Sequence, residues 1–370
     1  MGSPNFDCDV CILGGGPSGL SASLALVHRG ARVTLIEKSD YTMPRWGEHI
    51  PASSISTLLE IGFSPTEIFD SRLHLKSSGI RSYWSASENK IDYFLHPYGF
   101  GLNLSRPEFD SSLARVANAK GVRIILNGQF ITSSQDAEKW ILKVKTGNGP
   151  ITLEARYMID ATGRRAVFAK RMGGTIKRVD SQIAVNRRFE VSKKSRNLSL
   201  NEIVIESCEI GWWYLCPLST GSFICTLFTD SDLFARGRVN HEYLWNKYFA
   251  KAHHIFDYLA PFKPGNLTYC PASTQCLSKF LGGGWVAVGD SAFTFDPLSG
   301  QGITKGLRQG WTVGEAVAEY LNGKKDSLVQ AIDDMENIFR NYLKLRPLYY
   351  GLEQRWINSE FWSRRSSAPL

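Results

Sequence analysis

The sequence predicts an α/β fold in which a nucleotide-binding half is interrupted by a mainly antiparallel β-sheet and closed by C-terminal helices. Three observations predict it. A strand, a glycine turn, a helix and a second strand fill residues 7 to 37; a second apolar strand runs into Ala161-Thr162-Gly163; and a third, Gly284 to Asp290, leads into a glycine-rich loop and another helix. Between Ile183 and Asp230 the pattern changes to alternating β-rich segments without long helices, as expected of a second sheet inserted into an α/β chain.

The first unit is Rossmann-like. The apolar run Val10 to Leu13 is short enough for a buried strand and enters Gly14-Gly15-Gly16-Pro17-Ser18-Gly19, a G-x-G-x-x-G turn. Gly14 lets the chain turn tightly, Gly16 removes the side chain that would hold the backbone away from a pyrophosphate, and Gly19 lets the helix lie close on the strand. Pro17 and Ser18 open that helix, whose free N–H groups and dipole favour phosphate. It ends at Gly30, and Arg32 to Ile36 makes the next strand, closed by Glu37. An acid 18 residues beyond Gly19 suits the ribose hydroxyls of an adenosine half.

Composition sets the frame. The chain has 370 residues, 43% apolar, with no run near the ~18 apolar residues of a membrane span, so a soluble chain without a membrane partner is expected. The glycine turn lies so near the start that no signal peptide is expected before it, and a cytoplasmic location is expected. The seven cysteines include Cys8-x-x-Cys11, but strand positions three apart face opposite ways, so no redox pair is expected. The charge is +8, with positives crowded from Arg164 to Arg196. That crowd reads as a solvated face or as a surface steering an anion or an acidic protein. No nucleic-acid-reading motif accompanies it, so nucleic acid is disfavoured. The seven histidines show no ligand spacing, so no metal is expected.

In chain order, Met43 to Pro51 is a shaped loop and Ala52 to Ile61 a helix; Ile80 to Trp84 and Ile91 to Leu95 are short strands. Arg106 to Ala119 is a helix capped by Ser105 with Pro107 in its first turn, and Val122 to Leu126 a strand. Helices follow from Gly302 to about Leu321 and from Leu328 to Leu343, before an aromatic, basic tail. The partition this implies is 1–75, 101–175 and 281–325 for the nucleotide half, 76–100 and 176–280 for the sheet, and 326–370 for the tail.

Together, Gly14 to Gly19, Ala161-Thr162-Gly163 and Gly289-Asp290-Ser291-Ala292 through Pro297 to Gly302 resemble the motifs of flavoproteins of the p-hydroxybenzoate hydroxylase and tryptophan halogenase superfamily. The resemblance implies FAD as cofactor in a Rossmann-like domain. Its contacts would be Gly14, Gly16, Pro17, Ser18, Gly19, Glu37, Lys38, Arg45, Arg106, Ala161, Gly163, Asp290, Pro297, Gly300, Gly302 and Ile303. Asp290 would bond the ribityl chain and Arg106 would lie beside phosphates and ribityl. The helix starting near Gly302 would favour negative charge on reduced flavin. No second G-x-G-x-x-G with a ribose acid appears, so electrons would come from transient NAD(P)H or a flavin reductase.

Gly47-Glu48-His49-Ile50-Pro51 is similar to the G-E-x-x-(I)-P turn of the halogenases, but their W-x-W-x-I-P signature is missing. Ser77-Ser78, not lysine, precede Gly79-Ile80, with Lys76 one step away on the other strand face. Gly211-Trp212-Trp213-Tyr214 with Pro217-Leu218, and Tyr349 to Trp356 with Phe361 to Arg365, resemble maturation flavoproteins that serve cysteine tryptophylquinone-dependent lysine and glycine oxidases. The resemblance implies a monooxygenase that oxygenates a tryptophan in a precursor amino-acid oxidase, its protein substrate. Glu48, and then His49, are the candidate acid or base. Trp212, Trp213 and Tyr214 are the candidate substrate wall, and the aromatic tail reads either as a docking surface or as core packing. A hydroxylase or halogenase of a small aromatic molecule, and a flavin-binding chaperone, remain open.

Overall fold

The computed structural model describes residues 7–68, 74–85, 87–136, 139–190, 200–235 and 240–366. Its central sheet is parallel where the nucleotide motif sits. Cys8–Leu13 lies between Val33–Ile36 and Gly149–Asp160; Arg123–Ile125 and Trp285–Ala287 extend it on either side, all parallel. Strands covered on both faces read as unbroken apolar runs, and Val10, Cys11 and Ile12 are fully buried. Asp9 and Val10 both donate to the Arg32 carbonyl, at 2.8 and 3.2 Å. The Cys8 thiol donates to Glu154 O at 3.8 Å, and interaction with Cys8, together with full burial, raises the Cys11 pKa.

The helix Pro17–His28 starts with proline in its first turn and ends on Gly30 (φ 82°). There Gly30 N–H bonds Val27 O and Ala31 N–H bonds Leu26 O, both at 3.0 Å, a Schellman stop. Against it lies Gly302–Leu321, which presents Gly306, Gly310 and Gly314 at every fourth position. A Cβ at Gly310 would come within 2.3 Å of Ser18 O, and one at Gly314 within 2.6 Å of Ala22 O. Small residues let the two backbones approach this closely, and Ser21 Oγ donates to Leu307 O across the seam at 2.7 Å.

The second sheet runs Lys263–Pro264, Gln182–Glu190, Ser222–Asp230, Gly211–Pro217, Ile203–Cys208, Gly79–Tyr83, Asn89–Asp92. Its pairs are antiparallel except Ile203–Cys208 with Gly79–Tyr83. One face buries Trp213, Leu215 and Cys225 against the helices His241–Phe249 and His253–Leu259. The other buries Trp212 and Phe228 against the C-terminal elements.

Those elements are longer than the sequence pattern suggests. Asp326–Gly351 is one helix that passes Leu343 and contains Pro347, and Glu360–Ser366 follows. The tail aromatics are largely core: Tyr350, Phe361 and Trp362 are fully buried, and Trp362 Nε1 donates to Cys208 O at 2.9 Å. Arg365 pairs with Asp230, both buried. Of the basic crowd, Arg164 and Arg187 turn inward; Arg187 is 4% exposed and bonds Glu242. Lys193 and Lys194 lie outside the described residues. No described helix is long and apolar enough to cross a membrane.

The glycine seam gives a direct test. Gly310→Val should lower stability by about 1–3 kcal/mol, the cost of overpacking, measured by urea unfolding; an unchanged midpoint would mean the helices are not locked together there.

Candidate functional site

The three glycine segments converge. Ala161 N–H donates to Leu13 O at 2.8 Å, and Cβ atoms at Gly14 and Gly289 would strike Ala161 O at 2.2 Å and Ser18 Oγ at 2.0 Å. Gly19 packs on Gly14 O, as its place in the motif requires. A Cβ on Gly16, Gly163, Gly300 or Gly302 would instead meet nothing within 4 Å. Gly14 (φ 106°), Gly163 (φ 68°) and Gly300 (φ 60°) sit in the left-handed region. The helix starts at Pro17 and Gly302 carry no side-chain cap, so their N–H groups remain for a ligand. A cradle of bare backbone and open helix ends fits a dinucleotide phosphate and the polar edge of a flavin. Pro297 begins the short turn before Gly300, Ile303 is buried in the helix behind it, and Lys38 is exposed one step past the acid.

Buried carboxylates hold the cradle together. Asp160, fully buried, accepts from Thr162 N, Thr162 Oγ1 and Ala169 N at 2.9, 2.6 and 2.8 Å, and from Ser291 Oγ at 3.2 Å. It thereby fastens the Ala161 turn to the Gly289 turn. Glu37 stands at the expected strand end, 4% exposed; Oε2 accepts Gly15 N–H at 2.7 Å and Oε1 accepts Ser39 and Arg45. Arg45 also bonds Asp110 at 2.9 Å, and Arg106 grips the same carboxylate while donating to Trp46 O at 2.6 Å. The two arginines thus clamp the Met43 to Pro51 loop to the helix Arg106–Ala119. Ser105 caps that helix with no side-chain bond to its backbone; its hydroxyl goes to Glu108.

Glu48 hangs from this clamped loop, 7% exposed. Burial pushes its pKa up to about 7, against the opposing pull of Arg106 and of nearby backbone N–H groups. Its charge acts on Tyr214, Cys216 and Cys270, so it faces the second sheet. His49 has both ring nitrogens engaged, by Asn103 Oδ1 at 2.8 Å and Tyr93 OH at 3.1 Å, and burial lowers its pKa to about 4. A neutral, doubly bonded ring is a strut for the loop rather than a free proton carrier.

The expected aromatic wall divides, because neighbouring strand residues face opposite ways. Tyr214 lies on the Glu48 side. Trp212 shares that face but is sealed in, stacked on Phe228 at 4.2 Å with Nε1 donating to Tyr350 OH at 3.2 Å. Trp213 corrects the expectation: it is fully buried on the opposite face, edge-on to Trp245 at 4.7 Å. Lys76 is exposed on its strand, its ammonium 4.5 Å from the Phe100 ring centre.

Sequence reasoning missed Lys305. It lies one turn into Gly302–Leu321, 6% exposed, and donates to Asp290 Oδ1 at 2.9 Å. A lysine inside the run Ile303-Thr304-Lys305-Gly306-Leu307 was the available signal. Arg164, just after the Ala161 turn, was also missed; burial lowers its pKa, and it bonds Ser273.

The chain belongs to the FAD binding domain family, which it matches over residues 7–333. It is an FAD-dependent oxidoreductase. It is 29% identical over 366 residues to LodB of Marinomonas mediterranea, which carries the name FAD-dependent oxidoreductase; the match covers 96% of each chain. Among solved structures it is similar to the myxobacterial chondrochloren halogenase CndH, with TM-score 0.83 and 22% identity, over 97% of this chain and 85% of that one. It is also similar to QhpG, a peptidyl tryptophan dihydroxylase essential for tryptophylquinone cofactor biogenesis. There the TM-score is 0.76 at 19% identity, over 98% of this chain and 79% of QhpG.

Two experiments probe the site. Gly16→Ala should fold with unchanged stability yet bind FAD at least about tenfold more weakly, as its methyl enters the phosphate space. Gly14→Ala should fail to fold, because its methyl meets backbone. Equal behaviour of the two would refute the cradle. Glu48 gives a pH signature. Its carboxyl is neutral in folded and unfolded chains well below pH 4.5, and ionised in both well above about pH 7. In between, folding takes up a proton. Stability relative to Glu48→Gln should therefore fall as pH rises through this window and level off above it, as read by denaturant melts at pH 4, 6 and 8.

Proposed function

We propose that this oxidoreductase is a monooxygenase that oxygenates a tryptophan side chain of a precursor amino-acid oxidase during cysteine tryptophylquinone biogenesis. When bound and reduced, FAD supplies the oxygen-activating chemistry. The chain would do the rest by position. The Asp110 clamp fixes the loop that carries Glu48, and its burial beside Tyr214 keeps bulk water from the acid. Glu48 carries the reading. The ionised form of a carboxyl titrating near pH 7 can take the indole N–H proton as the ring is attacked and return it afterwards, because it is a stronger base than a carboxylate of ordinary pKa. His49 would hold the loop, and Tyr214 would flank the ring.

The match to LodB along nearly the whole chain, and the likeness to QhpG, support a maturation role with a protein substrate. The higher TM-score to CndH favours a second reading, halogenation or hydroxylation of a small aromatic molecule. Against halogenation stands the lysine position: Lys76 points outward and the buried neighbour is Ser77. A flavin-binding chaperone is the third reading. NAD(P)H or a flavin reductase is the proposed electron source.

Co-expression with a precursor oxidase, followed by mass spectrometry of the target tryptophan peptide, tests this. The expected result is a gain of one or two oxygen atoms that is lost with Asp290→Ala and strongly reduced with Glu48→Gln. An unmodified peptide beside an FAD-loaded wild-type chain would remove the proposal; a gain that persists in Asp290→Ala would assign the chemistry elsewhere.

A further inference from the structure

Lysine is rarely enclosed in a protein, because its ammonium loses water unless partners replace it. Lys305 is enclosed. Its Nζ donates to Asp290 Oδ1 at 2.9 Å and to Phe293 O at 2.5 Å, and it stands 4.6 and 5.2 Å from the ring centres of Phe293 and Phe295. The carboxylate it holds is not enclosed: the Asp290 side chain is 42% exposed while that of Lys305 is 3% exposed. The pair is therefore lopsided, a hidden cation behind an anion that faces outward.

Arg164 acts on both Lys305 and Asp290 and has a buried Nε without a hydrogen-bond partner. Asp180, which acts on Arg164, shares Arg346 with Asp296, at 2.8 and 3.2 Å; Glu336, which acts on Cys276 beside Lys305, pairs with Arg340 at 3.0 Å. Of these cations Lys305 is the one hydrogen-bonded to Asp290, and the helix start at Gly302 adds partial positive charge one turn away.

We propose that Lys305 is a positioning residue for the cofactor: from beneath the loop it turns the Asp290 carboxylate toward the bound nucleotide, and its own buried positive charge favours the reduced, anionic flavin. Asp290 alone would be free to rotate or to seek a surface cation. With Lys305 behind it, the carboxylate is aimed before FAD arrives, and less ordering remains to be done on binding. The inference rests on the family's cofactor and not on the identity of the substrate.

Lys305→Met separates positioning from scaffolding. Methionine matches the lysine stem and suits the Phe293 and Phe295 surroundings, and the carboxylate it leaves behind is 42% exposed and keeps its water, so no buried charge is stranded. The apo variant should melt at or above the wild-type temperature. FAD, titrated by fluorescence quenching, should bind about tenfold more weakly. The midpoint potential should fall by about 30 mV, the two-electron equivalent of a tenfold lost preference for the reduced form. In the Asp290→Asn background the same substitution should change FAD affinity less than twofold, since the residue through which it acts is already altered. Unchanged affinity and potential in a folded Lys305→Met chain would overturn the proposal. So would a variant that unfolds, or one whose FAD loss merely follows a lowered melting temperature, because either places Lys305 in the scaffold.

Discussion

The architecture depends on one carboxylate. Asp296 is 1% exposed, directly before Pro297, and its polar atoms are taken by the turn that follows and by the helix Asp326–Gly351. Oδ1 accepts Leu298 N–H at 3.0 Å, shaping the turn toward Gly300. Oδ2 accepts Tyr350 OH at 2.8 Å and Arg346 Nε at 3.2 Å, and the Asp296 N–H donates to Tyr342 OH at 2.8 Å, all three partners from the C-terminal helix. Through Tyr350 the bonding continues to Trp212 on the second sheet. A buried carboxylate is costly unless paired and hydrogen-bonded throughout, so the Pro297 turn, the long helix and the sheet must be in place together. Asp180, bound to the same Arg346, extends the junction to the start of that sheet.

Much of this was legible in residue order. The glycine turns, the strand before each and the helix behind each were readable because close backbone approach admits few residue types, and Gly14, Gly19 and Gly289 sit where a Cβ would strike a neighbour. The switch to β-rich segments after Ile183 announced the second sheet. The length of the helix Asp326–Gly351 was not legible, because a proline and the aromatic run after it are ordinary signals for a helix end, whereas Tyr350 and Phe361 are held by burial against Trp212 and Trp84. Nor was the side each tryptophan faces, since one strand position decides it and the sequence pattern Gly211-Trp212-Trp213-Tyr214 is aromatic on both faces.

Within the site, motif residues were visible and their supports were not. Glu48 could be chosen from its turn, but its displaced pKa arises from burial against residues far along the chain, Tyr214 and Cys216 among them. Asp110 and Asp160 read as ordinary acids; only the folded chain shows two arginines meeting at one and two glycine turns meeting at the other. Charges that act through a neighbour leave no spacing to detect, which is why Lys305 passed as one more helical cation.

The depth at which the indoles lie has a further consequence. A flavin enzyme that activates oxygen endangers its own indoles, and this chain has ten tryptophans. Trp212, Trp213, Trp245 and Trp362 are all under 2% exposed, so enclosure works as self-protection as well as packing. Trp311 and Trp356 are half-buried, as is Trp46, but Trp46 stands two positions from Glu48, and there stray oxidant would leave its mark, a built-in record of turnovers that missed their target.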